Sequence, residues 1–179
     1  TPPQNLGAEI NSEFHEGTPF LSFDGLVLLF QSDRPGGQGE MDLWEVRRAS
    51  LDKLFEEPKC LCSPINTSAR DGSPCLTADG CILVFQSNRE GGLGGTDIWI
   101  AKRASSMSNW EPPEHLPATV NSSSNEFRPW ISADGLTLTF SSMREPRDGL
   151  WVARRPSRDV PFGNAEPYGK NSHLRAVAG

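Results

Sequence analysis

The stretch from Asn66 to Ser105 reads NTSARDGSPCLTADGCILVFQSNREGGLGGTDIWIAKRAS, and its pattern occurs three times in the chain. An earlier copy, NSEFHEGTPFLSFDGLVLLFQSDRPGGQGEMDLWEVRRAS, begins at Asn11, and a later one, NSSSNEFRPWISADGLTLTFSSMREPRDGLWVARRPS, begins at Asn121, so the copies start 55 residues apart. A fixed period of this length is the mark of a repeat architecture. In each copy a proline (Pro19, Pro74, Pro129) opens a short apolar run, and Asp24-Gly25, Asp79-Gly80 or Asp134-Gly135 ends it. A second run then closes on Phe30-Gln31-Ser32, Phe85-Gln86-Ser87 or Phe140-Ser141-Ser142. Asp-Gly between two β-rich runs supplies the positive φ that a tight hairpin needs, and no segment shows a helical period.

Each copy is therefore expected to make four short strands. In the first these are a strand over 19–22, a second over 26–32, a third over 42–48 and a fourth around 58–65. On the second strand Leu28 and Phe30 point to one side and Val27 and Leu29 to the other, so both faces are apolar. A small sheet with two apolar faces must lie between neighbours, and radial stacking of such sheets gives a β-propeller. A β-sandwich would alternate apolar and polar faces and has no reason to repeat every 55 residues. The expected fold is all-β: one propeller domain over 1–179 of four-stranded antiparallel blades, at about 11–65, 66–120 and 121–170. Residues 1–10 would be the outer strand of an incomplete blade, because Pro3, Leu6 and Ile10 share the register of Pro58, Leu61 and Ile65.

The succession Ser/Thr-x-Asp-Gly, Leu-x-Phe-x-Ser-x-Arg, Gly-Gly-x-Gly and Asp-Ile/Leu-Trp resembles the WD40-like blades of TolB-type bacterial propellers, over nearly the whole chain. The resemblance implies a propeller, and it favours a periplasmic or otherwise extracytoplasmic location. The third copy departs from the pattern: it lacks the Gly-Gly-x-Gly loop and reads EPRDGLW, with Asp148 three residues before Trp151.

Three blades fall short of the roughly four to eight that close a ring. Either the chain is part of a longer propeller, or two copies join as a homodimer into a six-bladed ring. In the dimer one chain's N-terminal strand would complete the other chain's third blade. Asn171-Ser172 opens a fourth copy. Thr137 and Thr139 replace the apolar residues of the other copies, which would suit an end face.

Composition narrows the partners. With 17 Lys and Arg against 23 Asp and Glu the net charge is −6, which argues against nucleic acid. No apolar run approaches the ~18 residues of a membrane span. The expected partner is a protein segment or a polar ligand such as a saccharide.

In a propeller the loops between the fourth and first strands and those between the second and third lie on one face. Glu16, Asp71 and Glu126, each three residues before the recurring proline, should meet Arg34, Arg89 and Arg144, each two residues after the recurring serine. These pairs either tie loops together or form a ring of charge that binds a polar ligand. His15, flanked by Glu13 and Glu16, lies on the same face. Trp130 stands where the other copies have Phe20 and Cys75, and would either pack within the blades or line the channel and stack on a ligand such as a sugar. The sequence holds no catalytic constellation, so the leading function is a noncatalytic interaction module. The alternative is a saccharide hydrolase or lyase using Glu13, His15 and Glu16. The glycine loops precede strands rather than helices, which argues against a phosphate cradle, and no cofactor or metal site is expected: Asp42 and Asp97 have few carboxylates near them. Cys60, Cys62, Cys75 and Cys81 match no zinc spacing and are expected as buried free thiols.

Overall fold

The Asp-Gly pairs turn the chain as their residues demand. Gly25, Gly80 and Gly135 take φ of +73°, +65° and +78°, a conformation that strains any residue with a Cβ. The preceding aspartates lock each turn: Asp24 accepts hydrogen bonds from the Ser22 hydroxyl and the Leu26 amide, and Asp79 and Asp134 repeat the arrangement.

The computed structural model describes residues 2–145 and 148–169. Three four-stranded sheets follow one another along the chain. The first holds β1 (Glu16–Leu21), β2 (Val27–Ser32), β3 (Asp42–Arg47) and β4 (Lys59–Cys60), the last followed by a four-residue turn, α1 (Cys62–Ile65). β5 (Asp71–Leu76), β6 (Ile82–Ser87), β7 (Asp97–Lys102) and β8 (Glu114–His115) form the second sheet. The third holds β9 (Glu126–Ile131), β10 (Thr137–Ser142), β11 (Gly149–Arg154) and β12 (Glu166–Pro167). In every sheet the order follows the sequence and each neighbour is antiparallel. These are consecutive propeller blades, as the repeat predicts.

Both faces of the middle blade are buried. Leu83, Phe85, Trp99 and Ala101 pack on Leu29 and Leu43 of the first blade, while Ile82, Val84, Ile98 and Ile100 pack on Leu138, Phe140, Trp151 and Ala153 of the third. The third blade's other face is more polar. Thr139 is only half-buried there, and Leu150 is 47% exposed where its equivalents Leu43 and Ile98 are 0% exposed.

The outer strands differ from expectation. The fourth strand is two residues long rather than eight, because just past Leu61, whose amide still donates to Leu43 O, the chain turns through Cys62, at φ +35°. Residues 2–10 hold no strand, and a turn closes there with Ile10 and Asn11 amides donating to Gly7 O. The same turn recurs 55 and 110 residues on, where Asn66 N donates to Cys62 O and Asn121 N to Pro117 O. Ile10 is buried against Leu28, Phe30 and Trp44. The outer place in the third blade is filled by β12 of the same chain, pairing Pro167 with Trp151, so a partner's N-terminal strand has no vacancy to fill. Asn171 and Ser172 lie outside the described residues.

Candidate functional site

The six repeated charges meet as three pairs. Arg34 Nη2 lies 2.9 Å from Glu16 Oε1, Arg89 Nη2 lies 2.6 Å from Asp71 Oδ1, and Arg144 Nη2 lies 3.1 Å from Glu126 Oε1. Their neighbours repeat too. Each carboxylate accepts from the backbone N–H and hydroxyl of the residue four positions earlier, Ser12, Thr67 or Ser122. Each arginine donates Nε to the serine ending its second strand and Nη2 to the carbonyl of Ile10, Ile65 or Val120. It also lies over the Phe and Trp of its own blade, Arg144 at 4.5 Å from the Trp151 ring centre. Burial alone would raise the Glu16 carboxyl, but hydrogen bonds from Ser12, Arg34 and Ser32 outweigh it and hold the group below its ordinary value. These pairs fasten each incoming loop to its blade, and most of their hydrogen-bonding capacity is used within the chain.

A second repeated tie lies at the opposite end of the blades. Arg48, Arg103 and Arg155 donate Nε to the carbonyls of Gly25, Gly80 and Gly135 and stack on Phe55, Trp110 and Phe162 at 4.7, 4.0 and 4.5 Å. A third tie is made by Asn66 and Asn121, which are buried. Asn66 accepts from Leu43 N and donates to Leu43 O, and Asn121 does the same at Ile98. Asn11, their equivalent, is exposed and donates its amide to Asn5.

His15 is a loop tie. Its backbone N–H donates to Asp33, its Nδ1 lies 3.0 Å from Asp33 Oδ2, and its side chain is 88% exposed. Arg70 fills the same position in the second copy, its amide donating to Asn88. The structure does not join His15 to Trp130. Trp130 pairs with Thr139 on the third blade's outer face, 46% exposed, and is not among the residues lining the cleft between the inner strands. Among the described residues no three His, Cys, Asp or Glu side chains gather in a group able to hold a metal ion.

That cleft was not foreseen. Three bulges on the innermost strands shift the register between Gly17 and Phe20, between Gly72 and Cys75, and opposite Thr139 and Ser141. At each bulge the residue before the recurring proline takes a left-handed backbone: Thr18 at φ +46°, Ser73 at +51° and Arg128 at +49°. Such outliers in non-glycine residues are strained and persist only where the surroundings enforce them. At Ser73 and Arg128 the preceding blade does so. Gln31 Oε1 and Thr18 Oγ1 accept from Ser73 N, and Gln86 Oε1 accepts from Arg128 N. Gly72 makes room for this contact, since a Cβ there would collide with Gln31 Oε1. In the third blade the opposed Gly and Gln of the first two blades become Phe127 and Ser141. These residues surround a cleft of about 380 Å³. The Ser73 side chain is buried there, its hydroxyl without a hydrogen-bond partner.

No protein-family model matches the chain, and no curated protein matches it by sequence. Among solved structures the chain is similar to TolB from Acinetobacter baumannii, with a TM-score of 0.51 and 20% identity over 83% of this chain and 31% of that one. It is also similar to an alpha-L-arabinofuranosidase from Lactobacillus brevis, with a TM-score of 0.53 and 12% identity over 87% of this chain and 57% of that one. At these identities the likeness is one of fold, and it agrees with propeller blades. The chain spans 31% of the one neighbour's length and 57% of the other's.

Proposed function

We propose that the chain is a noncatalytic β-propeller binding module that takes a polar ligand in the cleft between its innermost strands. The observation that carries this reading is the convergence of polar side chains from three blades, Gln31, Ser73 and Arg128 among them, on one cleft. Strained backbone at equivalent positions of all three blades adds weight, because strain of this kind clusters at binding and catalytic sites. The groups considered for saccharide hydrolysis support it differently. Glu16 is engaged by Arg34 and Ser12, and His15 holds Asp33 in an exposed loop. A general acid and base need free groups facing a bound substrate.

The test is a thermal-shift screen against neutral sugars, citrate and phosphate, run beside an assay for release of nitrophenol from aryl glycosides. A saturable shift with at least one polar compound and no release is the expected result. Release that disappears in the Glu13→Gln and His15→Asn variants would replace this reading with the hydrolase.

A further inference from the structure

The cleft is built for an anion, and this inference rests on the polar-ligand reading above. Its two glutamines are oriented by backbone. Gln31 and Gln86 each commit their side-chain oxygen to an amide N–H, of Ser73 and of Arg128 respectively. The bond fixes which end of each amide is the NH₂ group, and that group has no acceptor among the described residues and is left to offer a ligand. The remaining polar groups also donate. Arg128 is exposed, and its guanidinium has no ion-pair or hydrogen-bond partner among the described residues. No Asp or Glu is among the residues that line the cleft. Phe127 adds an apolar wall.

Arg128 is also singular among the three equivalents. Thr18 and Ser73 hold the same left-handed place in the first two blades, and only the third blade puts a cation there. A guanidinium is always charged and matches the geometry of an oxyanion. An excess of donors with no acceptor of matching charge leaves an incoming anion nothing to repel it.

We propose that this cleft binds a small oxyanion-bearing molecule, a carboxylate or phosphate compound whose charged group is held by Arg128. Phe127 and the glutamine NH₂ groups face the body of the ligand.

Titration calorimetry with citrate, phosphate and, as the neutral comparison, glucose tests this, each at matched ionic strength. Saturable binding of citrate or phosphate is expected, at least tenfold weaker in Arg128→Gln. The relative strength of citrate and phosphate decides between carboxylate and phosphate ligands. Unchanged anion affinity in Arg128→Gln overturns the proposal. Glucose binding without anion binding overturns it as well, and leaves the polar-ligand reading standing. Failure of all three compounds sinks both.

Discussion

Asp71 accepts a hydrogen bond of 2.6 Å from Arg89 while its own side chain is 0% exposed. The arginine, 10% exposed, reaches on to Ile65 O and lies between the carboxylate and the Phe85 and Trp99 rings. One guanidinium therefore joins the loop leaving the first blade to the core of the second. The same group occurs in all three blades, with one difference of degree: the Glu16 side chain is 15% exposed.

Removing one member of a buried pair leaves the other charged and unsatisfied, at a cost of about 3–5 kcal/mol. Asp71→Ala is expected to fall in this range, and Glu16→Ala clearly below it, because water reaches Glu16. Urea unfolding of the two variants against the parent measures both values. An equal loss for the two would mean that burial does not set the strength of these ties.

Asn121 places four hydrogen bonds on three backbone groups and His115. Asn121→Ala should leave Ile98 N buried without its partner, at about 1–3 kcal/mol, while Ile98 O keeps the Leu116 amide. Asn11→Ala, at an exposed side chain bonded to Asn5, should change stability by less than about 0.5 kcal/mol. The same unfolding experiment compares them. A large loss at Asn11 would show that the N-terminal turn stabilises the first blade more than its contacts indicate.

The hairpins were legible because Asp-Gly and the recurring proline act locally, and the propeller because strands such as Val27–Ser32 are apolar on both faces. The Asp/Glu and Arg pairs were legible through spacing alone. Three other features were less so. Arg48, Arg103 and Arg155 recur visibly in the sequence, yet their use depends on a glycine carbonyl more than 15 residues away, which spacing does not reveal. The fourth strands of the first two blades are short because a turn and an asparagine tie intervene, a competition of hydrogen bonds with no signature in hydropathy. The inner cleft was the least legible of all. Thr18, Ser73 and Arg128 are not glycines, so nothing in their chemistry announces a left-handed backbone, and the cleft exists only once three blades are placed side by side. Trp130 illustrates the converse: its position on an inner strand pointed to the channel, but strand alternation turns it to the third blade's outer face.

Acid should loosen the contact between the second and third blades. Burial would raise the Asp79 carboxyl, but hydrogen bonds from Thr77 and Arg158 prevail and bring it to about 2, from an ordinary 3.8. A carboxylate depressed in the folded state contributes stability that is fully present above its unfolded value and is lost as pH falls through the folded one. The contribution should therefore fade between pH 3.8 and about 2, and Asp79→Asn should flatten that part of the stability curve. Both groups are substantially exposed, so the effect should be small and weakened by salt. An unchanged acid limb in the variant would assign it to other carboxylates.

Cys75 offers a direct measure of how firmly the second and third blades hold together. The residue is 2% exposed, and its thiol accepts from Ile131 N at 3.4 Å and is pushed up to about 11 by burial. Thiols react as thiolates, so this cysteine is doubly protected, by its raised value and by the neighbouring blade. Cys81 is half-buried beside the Asp79-Gly80 turn, where opening a hairpin end suffices to expose it. Ellman's reagent at pH 8 is expected to label Cys81 rapidly and Cys75 only at the rate at which the two blades part. Peptide mapping of the labelled sites against time resolves the two. Urea below the unfolding midpoint should accelerate Cys75 steeply and Cys81 little, since reaction at the former requires the larger opening. Equal rates at both sites would mean that the blade contact opens as readily as a surface turn, and that the apolar packing of Val84 and Ile100 on the third blade is not what keeps the arc together.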